Sequence, residues 1–363
     1  VKWNKIVKIL IFPGDDIGPE ISLPNEAALS AVSDKFSLGL VLEQRDIGFA
    51  AYDKEGSTFS DAALEQARNS DAVILGPVGT YKYPPKDQGG IQPSATLRKQ
   101  LDLYANIRPS RTRDGIPSVI KKMDLVIMRE NTEGFYADRS MFMGNGEFMP
   151  TEDVALSVRK ITREGSTRIA RQAFELASKR RKKVTAIHKE NVLKVTEGLF
   201  MSCARDVAAQ YPDVEFENLI IDAAAAHLVR RPADFDILLT TNMFGDILSD
   251  EAAELSGSLG LAASVNVGDT YGMAQAAHGS APDIAGQGIA NPTALMLSTA
   301  MLLDWLGQKH KNQNLCLAAH HFEKAVDATL ADPLNHTPDL GGKCTTVQFG
   351  DSVVTNIKNM EVG

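Results

Sequence analysis

FDILLTTNMFGDILSDE, residues 235–251, decides how the chain folds. An apolar run passes into Thr240, Thr241 and Asn242, and a segment follows that carries Asp246 and Asp250 four positions apart. This order predicts strand, turn and helix. With the helix starting near Phe244 or Gly245, the i, i+4 spacing stacks both carboxylates on one face, one turn above the other. Like charges so placed repel. A divalent cation that favours hard oxygen ligands, Mg²⁺ or Mn²⁺, would neutralise them. Alternatively, Asp246 favours the positive helix N-terminus and Asp250 is solvated. The spacing leaves both readings open.

Moving outward, IVKILIF (6–12) and DAVILG (71–76) are short continuous apolar runs, which read as strands buried on both faces of an α/β sheet. The first runs into PGDDIGPE, where Gly14 and Gly18 allow a tight turn and Pro19 suits the first turn of a helix. The turn is not GxGxxG, so it does not predict a Rossmann fold. The glycines and prolines of GPVGTYKYPPKDQGG (76–90) predict an irregular loop. A helix is expected from about Thr162 to Lys179, with Ile169, Ala170, Ala173, Phe174 and Ala177 as its apolar face. The basic run KRRKK (179–183) is expected to complement that helix's dipole. GFYADRSMFMGNGEFMPTED (134–153) is rich in Met, Phe and Gly without helical period, and reads as a subunit contact.

Composition bounds the function. The 363 residues, 44% hydrophobic, suffice for a full core and two domains. A net charge of −8 argues against nucleic-acid binding by phosphate neutralisation. No apolar run reaches the ~18 residues of a membrane span, and VKWNKIVKIL is too short for a signal peptide. Cys203, Cys316 and Cys344 are scattered and odd in number, which fits a reduced, cytoplasmic protein. Arg98, Arg108 and Arg129 suit a small multi-carboxylate substrate, because a guanidinium binds a carboxylate in bidentate fashion.

Motifs across nearly the whole chain, from GDDIGPEI at residue 14 to TPDLGG at 337, resemble the β-decarboxylating dehydrogenases, the family of isocitrate, isopropylmalate, homoisocitrate, D-malate and tartrate dehydrogenases. HLVRRPADFDILLTTNMFGDILSD resembles their metal-binding segment. LRKQLDLYANIRP with RENTEGFY resembles their substrate cradle, HKENVL their catalytic-lysine motif, and AAHGSAPDIAGQGIANPTAL their adenosine-binding loop. Asp16 departs from the family's usual glycine, a place where aspartate can still occupy an unusual turn conformation.

The resemblance implies a two-lobed α/β fold of isopropylmalate-dehydrogenase type. One lobe comprises 1–102 and 253–363 and carries the cofactor loop; the other, 103–252, is inserted and carries the dimer interface. It implies Lys189 as general base and Tyr136 as proton donor. Arg98, Arg108, Arg129, Ser94 and Asn191 would bind substrate. Asp222 at a strand end would join Asp246 and Asp250 as the third metal ligand. Lys189 and Asp222 would reach the partner's site, which implies a homodimer with shared sites and leaves dimer or tetramer open. His278, Gly279, Ser280, Ala281, Asp283, Ile284 and Asn291 would bind the cofactor. Asp283 can accept from a ribose hydroxyl but would repel a 2′-phosphate; NADP users carry Lys and Tyr at Asp283 and Ile284, so the expected cofactor is NAD.

The expected reaction is NAD- and metal-dependent oxidative decarboxylation of a malate-type 2-hydroxy acid. Ser94 and Ala95 stand where isopropylmalate enzymes carry leucines, and DLYANIRP, RENTEG, HKENVL and TPDLGG lean toward isocitrate or homoisocitrate. Isopropylmalate, D-malate and tartrate are the alternatives. From other classes, a non-catalytic regulatory subunit conflicts with the intact Arg, Tyr, Lys and Asp positions. A metal-dependent phosphohydrolase leaves the cofactor loop and the arginines unexplained.

Overall fold

The computed structural model describes residues 6–136, 140–144 and 146–362. In chain order the elements of the first third are β1 (Lys8–Phe12), α1 (Gly18–Lys35), β2 (Val41–Gln44), α2 (Phe49–Glu55), α3 (Asp61–Arg68), β3 (Ala72–Leu75), α4 (Pro93–Gln100), β4 (Ala105–Arg111) and β5 (Asp124–Glu130). Then come β6 (Glu147–Thr151), β7 (Val154–Ser157), α5 (Arg163–Ser178), β8 (Lys183–His188), α6 (Thr196–Ala208), β9 (Glu215–Ile220), α7 (Ile221–Arg230), β10 (Ile237–Thr240) and α8 (Asn242–Ser256). The chain closes with β11 (Val265–Val267), β12 (Gly272–Gln275), α9 (Thr293–His310), α10 (Gln313–Leu330) and α11 (Thr346–Asn359).

Among the described residues, ten strands form one sheet in the order β2-β1-β3-β12-β11-β4-β5-β10-β8-β9. Its two ends are parallel, and the pairs β12–β11, β11–β4 and β4–β5 in the middle are antiparallel. The order is not that of a Rossmann sheet, and the mixed α/β class agrees with the sequence. β3 and β4 follow one another along the chain but are not neighbours: the β11–β12 hairpin lies between them. Buried Asn266 of β11 ties that junction together, its Oδ1 accepting from Asn106 Nδ2 (2.7 Å) and Asn131 Nδ2 (3.0 Å).

The local expectations hold with adjusted boundaries. The first strand begins at Lys8, not Ile6, and every residue of β3 and β10 is buried. α5 is capped by Thr162, whose side chain accepts from Gly165 N, and its five expected apolar residues are fully buried. The loop after β3 is less irregular than expected, with single 3₁₀ turns at Thr80–Lys82 and Lys86–Gln88. Asp15 anchors it, accepting from Phe49 N (2.8 Å), Gly79 N (2.9 Å) and Tyr83 Oη (2.5 Å). Asp16 takes the left-handed conformation, φ 52°, in that turn.

The KRRKK run begins at Lys179, the C-cap of α5, and its arginines also clasp two carboxylates: Arg180 donates to Asp236 and Asp124 (2.8 Å each), and Arg181 reaches Asp124 (3.2 Å). Lys183 already lies in β8 and pairs with Glu215 and Glu217. The run therefore joins the starts of β5 and β10 to the end of α5.

Of the Met- and Phe-rich stretch, 137–139 and 145 lie outside the described residues. The remainder leads into the β6–β7 ribbon, a separate two-stranded sheet in which every residue is exposed. Phe142, Met143, Phe148, Met149, Val154 and Leu156 all present apolar side chains to solvent there.

Candidate active site

α8 starts at Asn242, two residues before the expected position, because Thr241 is the last extended residue. Asp246 and Asp250 therefore lie in the second and third turns rather than at the helix N-terminus, and still share one face. Buried Phe244, Leu248 and Ala252 seat the opposite face, which leaves the Asp246 and Asp250 side chains 37% and 54% exposed.

Two arginines converge on Asp246. Arg129, at the end of β5 and 3% exposed, lies 2.5 Å from Oδ1; Arg108, in the middle of β4 and 6% exposed, lies 3.3 Å from the same atom and 3.6 Å from Asp250. Their orientation is fixed behind them. Asn242 Oδ1 accepts from Arg129 Nε (3.1 Å) and Nη2 (2.7 Å); Asn106 Oδ1 and Ser249 Oγ accept from Arg108 at 2.9 and 2.7 Å. Gly245 permits the approach, since a Cβ there would lie 2.6 Å from Arg129 Cγ. Tyr136 Oη completes the group at 3.4 Å from Asp246 Oδ2.

The electrostatics split the aspartate pair. Burial pushes the Asp246 carboxyl up, but Arg129, Arg108 and Arg98 outweigh it and hold it below the usual carboxylate range. Asp250 is raised: partial desolvation at the protein surface and the neighbouring Asp246 charge outweigh the pull of Arg108. Arg98 and Ser94 project from α4, and both donate to Gln275 Oε1 at the end of β12, at 3.0 and 3.2 Å.

Lys189 and Asp222 form a second group. Lys189 follows β8, and Asp222 lies in the first turn of α7, not at the end of β9 as expected. Their side chains meet at 2.5 Å, and Lys189 holds the exposed Asp222 carboxyl below its ordinary range. Exposed Asn191 sits two residues beyond Lys189. Among the described residues no three His, Cys, Asp or Glu side chains gather as a metal cage, so one chain does not bring Asp222 to Asp246 and Asp250.

The expected cofactor loop joins β12 to α9. Ile17 N bonds Ser280 O (3.2 Å), which ties the loop to the turn after β1. His278 Nδ1 faces the Gly279 carbonyl at 2.9 Å and so carries the proton; Nε2 is buried without a partner, and burial lowers the ring's basicity. Ala281 adopts φ 42°, Gly279 and Asp283 are exposed, and Ile284 packs partly on the core. Asn291 is held by Asp339 (3.0 Å), which also accepts from Ser258 and Thr337.

Sequence reasoning missed Asn242, Ser249, Asn106, Gln275 and Asp339 as supports of this site. TPDLGG pointed to Asp339 as a motif without its role; the others are polar residues in elements whose pairing is long-range.

The model of the family described as isocitrate/isopropylmalate dehydrogenase matches residues 8–353. The chain belongs to that family. This dehydrogenase is 42% identical to a 3-isopropylmalate dehydrogenase of Archaeoglobus fulgidus over 96% of its own chain and 98% of the relative. It is 41% identical to an isocitrate/homoisocitrate dehydrogenase of Thermus thermophilus over 97% and 99%. An isocitrate dehydrogenase from Methylococcus capsulatus superposes with a TM-score of 0.85 at 39% identity, covering 98% of this chain and 100% of that one. The recognised family and two-lobed α/β fold are thus borne out. The lean toward isocitrate or homoisocitrate is not: the relatives' names support the isopropylmalate alternative better. No helix among the described residues is long and apolar enough to cross a membrane.

Proposed function

We propose that this dehydrogenase oxidatively decarboxylates a 3-substituted malate, using NAD and Mg²⁺ or Mn²⁺, in a homodimer with shared sites. The observation that carries the reading is the pair of buried arginines converging on Asp246 beside Asp250, with Tyr136 at the rim. Asp246 and Asp250 would hold the cation together with Asp222 of a second copy. The metal would stabilise enolate charge and NAD would accept hydride. The donor set fits a hard cation, since it consists of half-exposed carboxylates one helical turn apart. The unpartnered His278 Nε2 fits an amino donor such as that of adenine.

In this reading Arg98, Arg108 and Arg129 hold the substrate's carboxylates and orient the one that departs. Lys189 takes the hydroxyl proton and Tyr136 delivers one to C3. The domain division 1–102 with 253–363 against 103–252 belongs to the same reading, with Arg98 on one lobe and the Arg108–Asp246 group on the other. Dimerisation is supported by the solvated apolar β6–β7 ribbon, and by exposed Val192 and Val195 beside Lys189.

Two substrates compete. The relatives' names favour 3-isopropylmalate; the polar Ser94, bonded to Gln275 next to Arg98, favours isocitrate or homoisocitrate. The deciding experiment follows NADH absorbance with Mg²⁺ or Mn²⁺ against 3-isopropylmalate, isocitrate, homoisocitrate, D-malate and tartrate. Turnover of one 3-substituted malate names the substrate, and none with any of the five removes the reading. Asp283→Lys with Ile284→Tyr is expected to move preference from NAD toward NADP, measured as the ratio of the two kcat/KM values.

A further inference from the structure

Arg159, in the segment between β7 and α5, is 7% exposed and ion-paired with Glu197 in the first turn of α6, whose side chain is 0% exposed. The pair touches three parts of the candidate site without contacting a reacting atom. Glu197 Oε2 accepts from Lys189 N (2.9 Å), fixing the turn that carries the lysine. Arg159 Nη2 donates to Oγ1 of Thr241 (3.0 Å), the N-cap residue just before α8, the helix of Asp246 and Asp250. The guanidinium carbon lies 5.3 Å from the Phe244 ring centre and 5.6 Å from that of Phe135, the neighbour of Tyr136.

A buried pair of this kind contributes little net stability compared with apolar residues of similar volume. It does impose geometry, because a planar guanidinium whose Nη2 meets both Glu197 and Thr241 while Nη1 donates to Thr196 Oγ1 (3.5 Å) has one orientation. In the shared-site dimer of the proposed function, on which this inference rests, Lys189 serves the partner's site while Asp246, Asp250 and Tyr136 serve the chain's own. We propose that the Arg159–Glu197 pair is a positioning device that couples the two active sites, linking the lysine turn of one to the metal helix of the other.

Mixed dimers test this. A chain carrying Lys189→Met paired with a chain carrying Asp250→Asn leaves one intact site, built from the first chain's aspartates and the second chain's lysine. Recovery of turnover on mixing the two inactive homodimers establishes shared sites. Arg159→Met with Glu197→Met, which leaves no buried charge, is then placed in one chain at a time, with Arg159→Lys as a second variant that keeps the charge but loses the fork.

In the aspartate-donating chain the change is expected to weaken Mn²⁺ binding, read by calorimetry, by about tenfold. In the lysine-donating chain it is expected to lower kcat about tenfold with KM unchanged. An effect from only one placement, or a lowered melting temperature with Mn²⁺ affinity and kcat intact, overturns the coupling. Failure to recover turnover on mixing overturns the shared-site reading, and the coupling with it.

Discussion

Asp246 is the residue on which the ligand-free site depends. Its carboxyl is held below the usual range, so it contributes stability that is fully present above its unfolded value of ~3.9 and lost as pH falls through the lower folded value. Asp246→Asn in the metal-free protein is therefore expected to lower stability at pH 7 by about 1–2 kcal/mol, a partly buried ion pair discounted for the exposure of the carboxylate. The gap in urea midpoint should close as pH drops below ~4; a gap that stays constant with pH would rule out this account. Gly245→Ala is a second probe. Its Cβ would meet Arg129 Cγ and Cβ at 2.6 and 2.7 Å and Thr240 Cγ2 at 3.0 Å, with no free volume to accept it. Overpacking of about 1–3 kcal/mol is expected, together with a raised substrate KM as Arg129 is displaced. Thermal unfolding and steady-state kinetics read the two effects separately.

Among the elements, the β6–β7 ribbon has no packed face of its own. Phe148 and Leu156 are cross-strand partners, both exposed, and a lone two-stranded ribbon is marginal in water. Phe148→Lys with Leu156→Glu keeps a complementary cross-strand pair while removing the apolar face. Sedimentation velocity should then show monomer in place of dimer, and dehydrogenase turnover should fall with it; an active dimer would mean that the ribbon is not the contact. The elements also show what could be read from the chain. β3 and β10 were legible because strands buried on both faces are continuous apolar runs, and α5 because its apolar face repeats at helical spacing. The start of α8 was not, since Asn242 and Phe244 suit either side of a helix boundary. Nor was the Arg180 clasp, because its acceptors Asp124 and Asp236 belong to strands that only the folded sheet brings alongside.

On the scale of the molecule, the sequence named Arg108, Arg129, Tyr136, Asp246 and Asp250, and the fold brings them together. It also named Lys189 and Asp222, which the fold sets apart as their own pair. No motif spacing reports that separation, which is a property of three-dimensional assembly. If a second copy closes the site, cation binding and association reinforce one another. The melting temperature should rise with protomer concentration, and Mn²⁺ at a hundred times its Kd should add about 2.7 kcal/mol. Differential scanning calorimetry across a dilution series checks both, and a melting temperature independent of concentration would argue for a self-sufficient monomer. The sheet order has a further consequence during synthesis. β4 waits for its β11 neighbour until a strand 160 residues further along the chain has left the ribosome, as the Asn106–Asn266 bond measures. Until then the strand edges of β3 and β4 that β12 and β11 will cover stay open, and another chain could pair there. Translation speed through residues 107–265 thus sets how long the growing polypeptide depends on chaperones to keep those edges from aggregating.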